Sequence, residues 1–499
     1  MVDPLVGSRS SLLVRDLGQM RDSLSDLQRQ LSTGKTADTY AGLGPERSLS
    51  IAFRSDVSRL DSYQSSITMV ELRLSISDQV MTRMNDVATE ARGAMDPNIY
   101  DLLSDGRTQG QATARNLLGE TLSLLNSEAG GRHLFAGEDV LNKPVESLNA
   151  IMEGEGARVG FTQHKAERFL ADSGSSGTGR LDVTQPLTNQ VQMSEDGSHP
   201  FGMKISALNN GLSNTTSTGP TGDPATIGID FAGQPTAGET IKLSFDLPDG
   251  SVTDIVLTAA VAGQGGDGLF EIGATPDDTA ANLSTALTSA LQYVTDVELQ
   301  AASAISAGED FFNTANGAVP QRVDGPPFES AIALRDGTPE DTVFWYKGDN
   351  AANSARKTAT ARIDDGLSIS YGARANEEAF QVLVQNLAVF SSDTFVDGNE
   401  NDEARYGELA SKTVQNISYP SGVQKLEQIA GELGAARSAA GNADARHTVK
   451  GGTLQTMIDG IETADLNEVS VNILTLQTQM EASYRATSIL FDMSLVNYI

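Results

Sequence analysis

The side chains best able to do chemistry in this sequence are few and scattered. Four histidines, His133, His164, His199 and His447, have no second ligand at metal-binding spacing. A His-Glu-x-x-His pair, a Walker loop and a Gly-x-Ser-x-Gly elbow, the patterns for zinc, phosphate and acyl chemistry, do not occur. His133 reads as a strand residue rather than a ligand. Cysteine is absent, which removes a thiolate nucleophile, a thiolate metal site and a disulfide framework. One stretch does have ligand spacing. Asp397, Asn399 and Asn401 stand at positions one, three and five of an EF-hand-like loop and Glu408 at position twelve, hard oxygen donors of the kind calcium takes. Asp402 occupies the sixth position, where such a loop turns on glycine, and acidic stretches of this composition are ordinarily solvated connections. Calcium is therefore a minor candidate. No catalytic residue and no cofactor emerges, and the expectation is that the chain is not an enzyme.

The elements around these residues are more informative. Leu13, Leu17, Met20, Leu24, Leu27 and Leu31 alternate steps of four and three, a single narrow stripe on a helix that needs a partner helix. The stripe stops at Ser32-Thr33-Gly34-Lys35, and the Gly- and Pro-punctuated run to Pro45 reads as an ordered connector with Gly34 capping the helix. A second track runs through Leu60, Tyr63, Ile67, Val70, Leu74, Ser77, Met81, Met84, Ala88, Ala91 and Met95 to Pro97. At the α-helical rise, the span from Glu46 to Asp96 would be about 75 Å long, which suggests a rod rather than the core of an ordinary helical bundle. A third helix is expected from Asp101 to Ser127. Near the other end, Leu466, Val469, Ile473, Leu476, Met480, Thr487 and Leu490 draw a matching stripe, the natural mate of the first.

Between the helical ends, from about Gly131 to Gly372, the pattern changes to short β-like runs broken by Gly, Pro, Asn and Ser. Thr240–Leu247 and Val252–Leu257 flank Pro248-Asp249-Gly250 and read as a hairpin. Asp277 to about Leu291 reads as an Ala- and Leu-rich helix. Leu212–Pro224, rich in Ser, Thr, Gly and Asn, looks like a linker. Thr342–Lys347 and Leu367–Tyr371 suggest strands returning to the rod, and helix resumes near Glu377.

The chain has 499 residues, 35 basic against 66 acidic, for a formal net charge of -31. That balance opposes binding to nucleic acid or anionic lipid, which needs clustered Lys and Arg. No stretch reaches the ~20 apolar residues of a membrane span, and Met1–Leu13 lacks the basic cluster and apolar region of a cleaved signal peptide. If the protein is exported, a different route is expected.

Several of these residues also resemble a known family. Leu31-Ser32-Thr33-Gly34-Lys35 after a heptad helix, and Ile461-Glu462-Thr463-Ala464-Asp465 opening the last helix, resemble the terminal signatures of the bacterial flagellin superfamily. Three further stretches are similar to its hook-filament junction branch: Gly131-Arg132-His133-Leu134-Phe135-Ala136-Gly137 with Lys143-Pro144-Val145, a strand in that branch; Trp345–Asp349 with Ile369–Asn376, its return hairpin; and Ser494-Leu495-Val496-Asn497-Tyr498-Ile499, its usual C-terminus. The resemblance covers roughly residues 5 to 150 and 340 to 499, and departs from it over Gly156–Asn316, a longer insert. It implies a hook-associated structural subunit of the extracellular flagellum, exported through the flagellar type III apparatus with an export chaperone. Its partners would be the hook-capping junction protein, flagellin and copies of itself in a ring.

The expected fold is α+β: a long antiparallel coiled-coil rod made from both chain ends, with a looped-out β-rich α+β domain between. Its segments are 1–45, the first helix and connector; 46–150, the N-terminal half of the rod; 151–340, the insert; 341–449, the return hairpin and C-terminal half of the rod; and 450–499, the last helix. The expected assembly surface is the two terminal stripes. Two other readings stay open, a bulk filament flagellin and a surface adhesin or glycan-binding module carried by the insert.

Overall fold

The computed structural model describes residues 4–496, with side chains described for residue 12 and for 14–489. Helices α1 (Pro4–Thr33) and α2 (Arg47–Ala94) are joined by a connector whose Tyr40–Glu46 stretch is a 3-10 turn kinked at Gly44. Then come α3 (Gln109–Leu125), α4 (Leu148–Glu153) and α5 (Phe161–Ser173). Eight strands follow: β1 (Leu181–Thr184), β2 (Gln190–Glu195), β3 (Lys204–Asn210), β4 (Thr215–Thr221), β5 (Thr226–Phe231), β6 (Thr240–Asp246), β7 (Val252–Ala260) and β8 (Leu269–Glu271). α6 (Pro276–Val294) passes through a π-helical turn into α7 (Gln300–Phe312). Two small pairs, β9 (Gln321–Val323) with β10 (Leu334–Asp336) and β11 (Thr360–Asp364) with β12 (Leu367–Ser370), precede the last helices. These are α8 (Glu378–Ser392), α9 (Glu400–Ile417), α10 (Leu426–Glu462) and α11 (Leu466–Val496).

The chain forms two compact units. The first comprises Met1–Glu71, Ala361–Ile369 and Ser438–Ile499. Here α1 packs along α11, and the first turns of α2 face the last turns of α10. Leu60, Ile67 and Val70 on α2 are buried, as are Ala440, Ala443, Leu454, Ile458 and Ile461 on α10. Polar groups tie the two helices together as well: the Gln64 amide donates to Asp444 and to Thr448, each at 3.1 Å. His447 stacks on Tyr63 with ring centres 5.6 Å apart, and its Nε2 meets the Ile363 carbonyl of the β11–β12 hairpin at 2.7 Å.

The second unit comprises Leu72–Thr360 and Ser370–Arg437. The α2 stripe continues in it, with Leu74, Ser77, Met81, Met84, Ala88, Ala91 and Met95 all buried. α3 packs on α8, and α7 packs on α5, α8 and α9. The single tryptophan, Trp345, is fully buried and donates its Nε1–H to the Phe312 carbonyl at 2.9 Å. The β-rich part holds two four-stranded sheets, ordered β1-β2-β5-β4 and β3-β6-β7-β8. They share one core with α6, built from Val191, Ile229, Phe231, Ile241, Phe245, Leu257, Leu283 and Leu287 among others. Along β6 the side chains alternate, with Ile241, Leu243 and Phe245 inward, as a strand half-covered by a helix requires. The expected hairpin forms, with Asp246 opposite Val252 and Gly250 at φ +78° in the turn.

Several expectations are corrected. α3 starts at Gln109, not Asp101, because Thr108 and Gln111 form a reciprocal capping box, with Thr108 N–H donating to Gln111 Oε1 at 2.9 Å. The stretch expected to be a linker contains β4, an edge strand with one paired side and one open side; its Thr and Ser side chains are mostly exposed, so it needs no apolar pattern. Thr342–Lys347 is no strand: it makes single bridges, Thr342 with Val159 and Tyr346 with Val145. Nor do Trp345–Asp349 and Ile369–Asn376 pair as a hairpin. The hairpin is β11–β12, and residues 131–137 likewise make single bridges instead of a strand. The expected boundary at 150/151 falls inside α4, and that at 449/450 inside α10.

Candidate assembly interface

The seam between α1 and α11 is the feature the sequence marked most clearly. On α11, Val469 and Ile473 are buried, and Leu476 and Met480 are half-buried along the same face. Facing them, Leu17, Met20, Leu24 and Leu27 of α1 are half-buried. Two expected members lie off the seam: Leu31 is 43% exposed and Leu466 is 47% exposed. Both stand at the ends of their helices, α1 ending at Thr33 and α11 beginning at Leu466. Leu13 and Leu490 lie outside the residues whose side chains are described, and Asn497–Ile499 of the C-terminal motif lie outside the described backbone.

The two terminal signatures meet. α1 ends because Gly34 takes φ +67°, the left-handed conformation that lets its N–H reach back to Gln30 at 2.8 Å. Ala464 N–H then donates to the Gly34 carbonyl at 3.0 Å, Thr36 N–H donates to the Glu462 carbonyl at 2.8 Å, and Lys35 bridges Thr463. The Glu462 side chain accepts from Ser50 Oγ at 2.6 Å and from Arg54 Nε at 2.8 Å, and Arg54 Nη2 closes a bidentate pair. The Arg54 bonds, then the Ser50 bond, hold the Glu462 carboxyl down to about 2. This node was not legible as such, because its partners lie more than 400 residues apart in sequence.

A second convergence lies in the other unit. Gly137 N–H donates to Ala373 at 3.0 Å, Ala375 N–H to Phe135 at 2.8 Å, Asp349 N–H to Ala136 at 2.9 Å, Lys347 N–H to Pro144 at 2.7 Å, and Glu146 N–H to Trp345 at 2.9 Å. Two of the three matches to the junction branch, 131–145 and 345–376, are thus stitched to one another through their backbones. Arg374, also buried, fixes the corner by reaching Asp349 at 3.0 Å and the Ala351 carbonyl at 2.8 Å.

The calcium loop is corrected. Glu400–Ile417 is helical, so Asn401 and Glu408 sit on a helix rather than around a loop. Asn399 is its N-cap, its side chain accepting from Asn401 N–H at 3.1 Å, and Asp402 turns inward to cap Val396 N–H at 2.7 Å. Among the described residues no group of three His, Cys, Asp or Glu is placed to hold a metal ion. Nor are the histidines gathered. His133 Nδ1 lies 3.0 Å from the Asn126 carbonyl, His199 Nε2 2.7 Å from Asp196, and His164 is fully buried beside Phe311.

Both ends of the described chain are long helices that pack on one another, and the β-rich part lies between them in sequence. Comparison with known proteins gives the family. Residues 9–139 match the bacterial flagellin N-terminal helical region, and residues 421–499 match the bacterial flagellin C-terminal helical region. The two ends of the chain thus carry the paired terminal helical regions of the bacterial flagellin family, which mark it as a structural subunit of the bacterial flagellum. No curated protein matches it significantly. Among solved structures, FlgL of Xanthomonas campestris aligns with 81% of this chain and 99% of its own, at 14% identity and a TM-score of 0.26, too low to establish a shared overall arrangement. No helix among the described residues is long and apolar enough to cross a membrane.

Proposed function

We propose that this chain is a hook-associated junction subunit, forming a ring with copies of itself between the hook-capping junction protein and flagellin, and that it does no catalysis. The observation that carries the reading is the stitching of Phe135–Gly137, Pro144–Glu146, Trp345–Asp349 and Ala373–Ala375 into one backbone-bonded corner. These belong to two of the three stretches that resemble the junction branch, and their joint packing favours a shared structural role over chance matches. The seam residues Leu17, Met20, Leu24, Leu27, Val469, Ile473, Leu476 and Met480 serve assembly by holding the terminal pair in shape for neighbouring subunits. Export through the flagellar type III apparatus, with a chaperone and without a cleaved signal, follows from the family resemblance.

Electron microscopy of cells lacking the chain tests this. Hooks without filaments, with flagellin lost to the medium, are the expected result. Normal filaments on hooks of the deletion strain would overturn the junction role, and abundance equal to the main filament protein in sheared flagella would point to a bulk flagellin instead.

A further inference from the structure

We infer that Glu462 is a positioning residue, the lock that holds the terminal helix pair in place within the first unit. The chain passes between α10 and α11 through only Thr463, Ala464 and Asp465, whereas α1 reaches α2 through the longer 34–46 connector. Two covalent crossings of unequal length do not by themselves fix an angle. Glu462 does so by belonging to three elements at once: it ends α10, its carbonyl accepts from Thr36 of the connector at 2.8 Å, and its carboxylate grips Ser50 and Arg54 on the first two turns of α2.

The contacts are built for rigidity. A planar guanidinium meeting a carboxylate through two parallel bonds fixes orientation as well as distance, which a single contact does not. Ser50 is fully buried and supplies the third bond. The neighbouring seam makes the pair dependent on this point. Its only buried residues among those described, Val469 and Ile473, lie near the start of α11, on the side of the node, and further along every facing residue is half-buried or exposed. Burial that shallow leaves the helices marginal if the base works loose.

This deepens the assembly reading and rests on it only for its consequence, that an unlocked pair is badly presented to neighbouring subunits. The test is hydrogen exchange on the full-length monomer, run beside immunoblots of sheared flagella. Glu462→Gln keeps the shape and one acceptor but loses the charge-assisted fork. Exchange should rise on the order of threefold to tenfold in residues 17–33 and 466–480, with residues 60–90 and 426–445 unchanged. Arg54→Gln should reproduce this, and it carries the same reading if Glu462→Gln fails to fold. Arg59→Gln, which breaks only the 2.7 Å surface pair with Asp56 on the same helix, should change nothing. Unchanged exchange in both node variants, or an equal rise throughout α2 and α10, would overturn the lock. Lost incorporation with unchanged exchange would also overturn it while leaving the assembly reading intact, since Glu462 would then act on another subunit.

Discussion

Ala464 and Gly34, the one opening the last helix and the other closing the first, share a backbone bond of 3.0 Å that ties the two ends of the chain at their bases. Its geometry depends on Gly34 adopting φ +67°. A Cβ there would meet nothing within 4 Å, so space is not the constraint.

Conformation is. Gly34→Ala should cost about 1 kcal/mol through left-handed strain alone, and it should loosen the Lys35–Thr463 bridge. The expected signature is faster amide exchange at 34–36 and 462–464 with an unchanged melt of the second unit. An effect spread over the β sheets would show that the strain is not local.

The second unit should lose stability in acid through His164. Burial, then the charges of Arg322 and Arg168, push its imidazole down to about 3, and the nearby Ala307 carbonyl opposes this without making a hydrogen bond. A histidine whose folded value is depressed binds protons more readily when unfolded. Stability is therefore full above about 6.5 and falls as pH drops from about 6.5 towards about 3. Trp345 emission during urea titration reports the unit, since Trp345 is the only tryptophan and is fully buried in it. His164→Phe should flatten the slope in this window, and an unchanged slope would mean that other groups carry the acid sensitivity.

The insert is expected to fold alone when cut around its own core rather than at 151–340. The shared core runs from Leu181 to Ala302, whereas α7, where Ile305, Phe311 and Phe312 are buried, packs on α5 inside 151–340 and also on α8 and α9 outside it. We propose residues 178–302 as the autonomous piece. It should melt cooperatively and give dispersed amide resonances, while 151–340 should expose the far face of α7 and self-associate. A cooperative, monomeric 151–340 fragment would restore the wider boundary.

How much of this could be read from the residues follows from what made each element. The α2 stripe was legible because large side chains at strict spacing do the packing, and all its members except half-buried Tyr63 are buried. The hairpin was legible because alternation and a turn glycine coincide. α10 was not recognised as the α2 partner, since its inward residues include Ala436, Ala440 and Ala443, whose small side chains carry little periodic signal. The strand β4 was missed because an exposed edge needs no apolar face. The Glu462 node was out of reach, as no local rule pairs Ser50 and Arg54 with a residue near the other end of the chain.

The seam itself gives the most decisive test. Ile473 is 9% exposed and Leu476 half-buried on the α11 face turned to α1, while Gln477 points to solvent. Ile473→Asp puts a carboxylate against the apolar stripe of α1, whose leucines and Met20 offer it no cation, at a cost of roughly 2–4 kcal/mol, more than one shallow layer of this seam supplies. Leu476→Asp, less deeply placed, should cost less. Gln477→Asp adds the same charge about 100° around the helix and should be silent. Export senses an unfolded chain on the family analogy, so all three variants should reach the medium. Immunoblots of sheared flagella and supernatant should then rank incorporation as Gln477→Asp above Leu476→Asp above Ile473→Asp. Equal incorporation of all three would show that pairing of the chain ends is not what assembly requires.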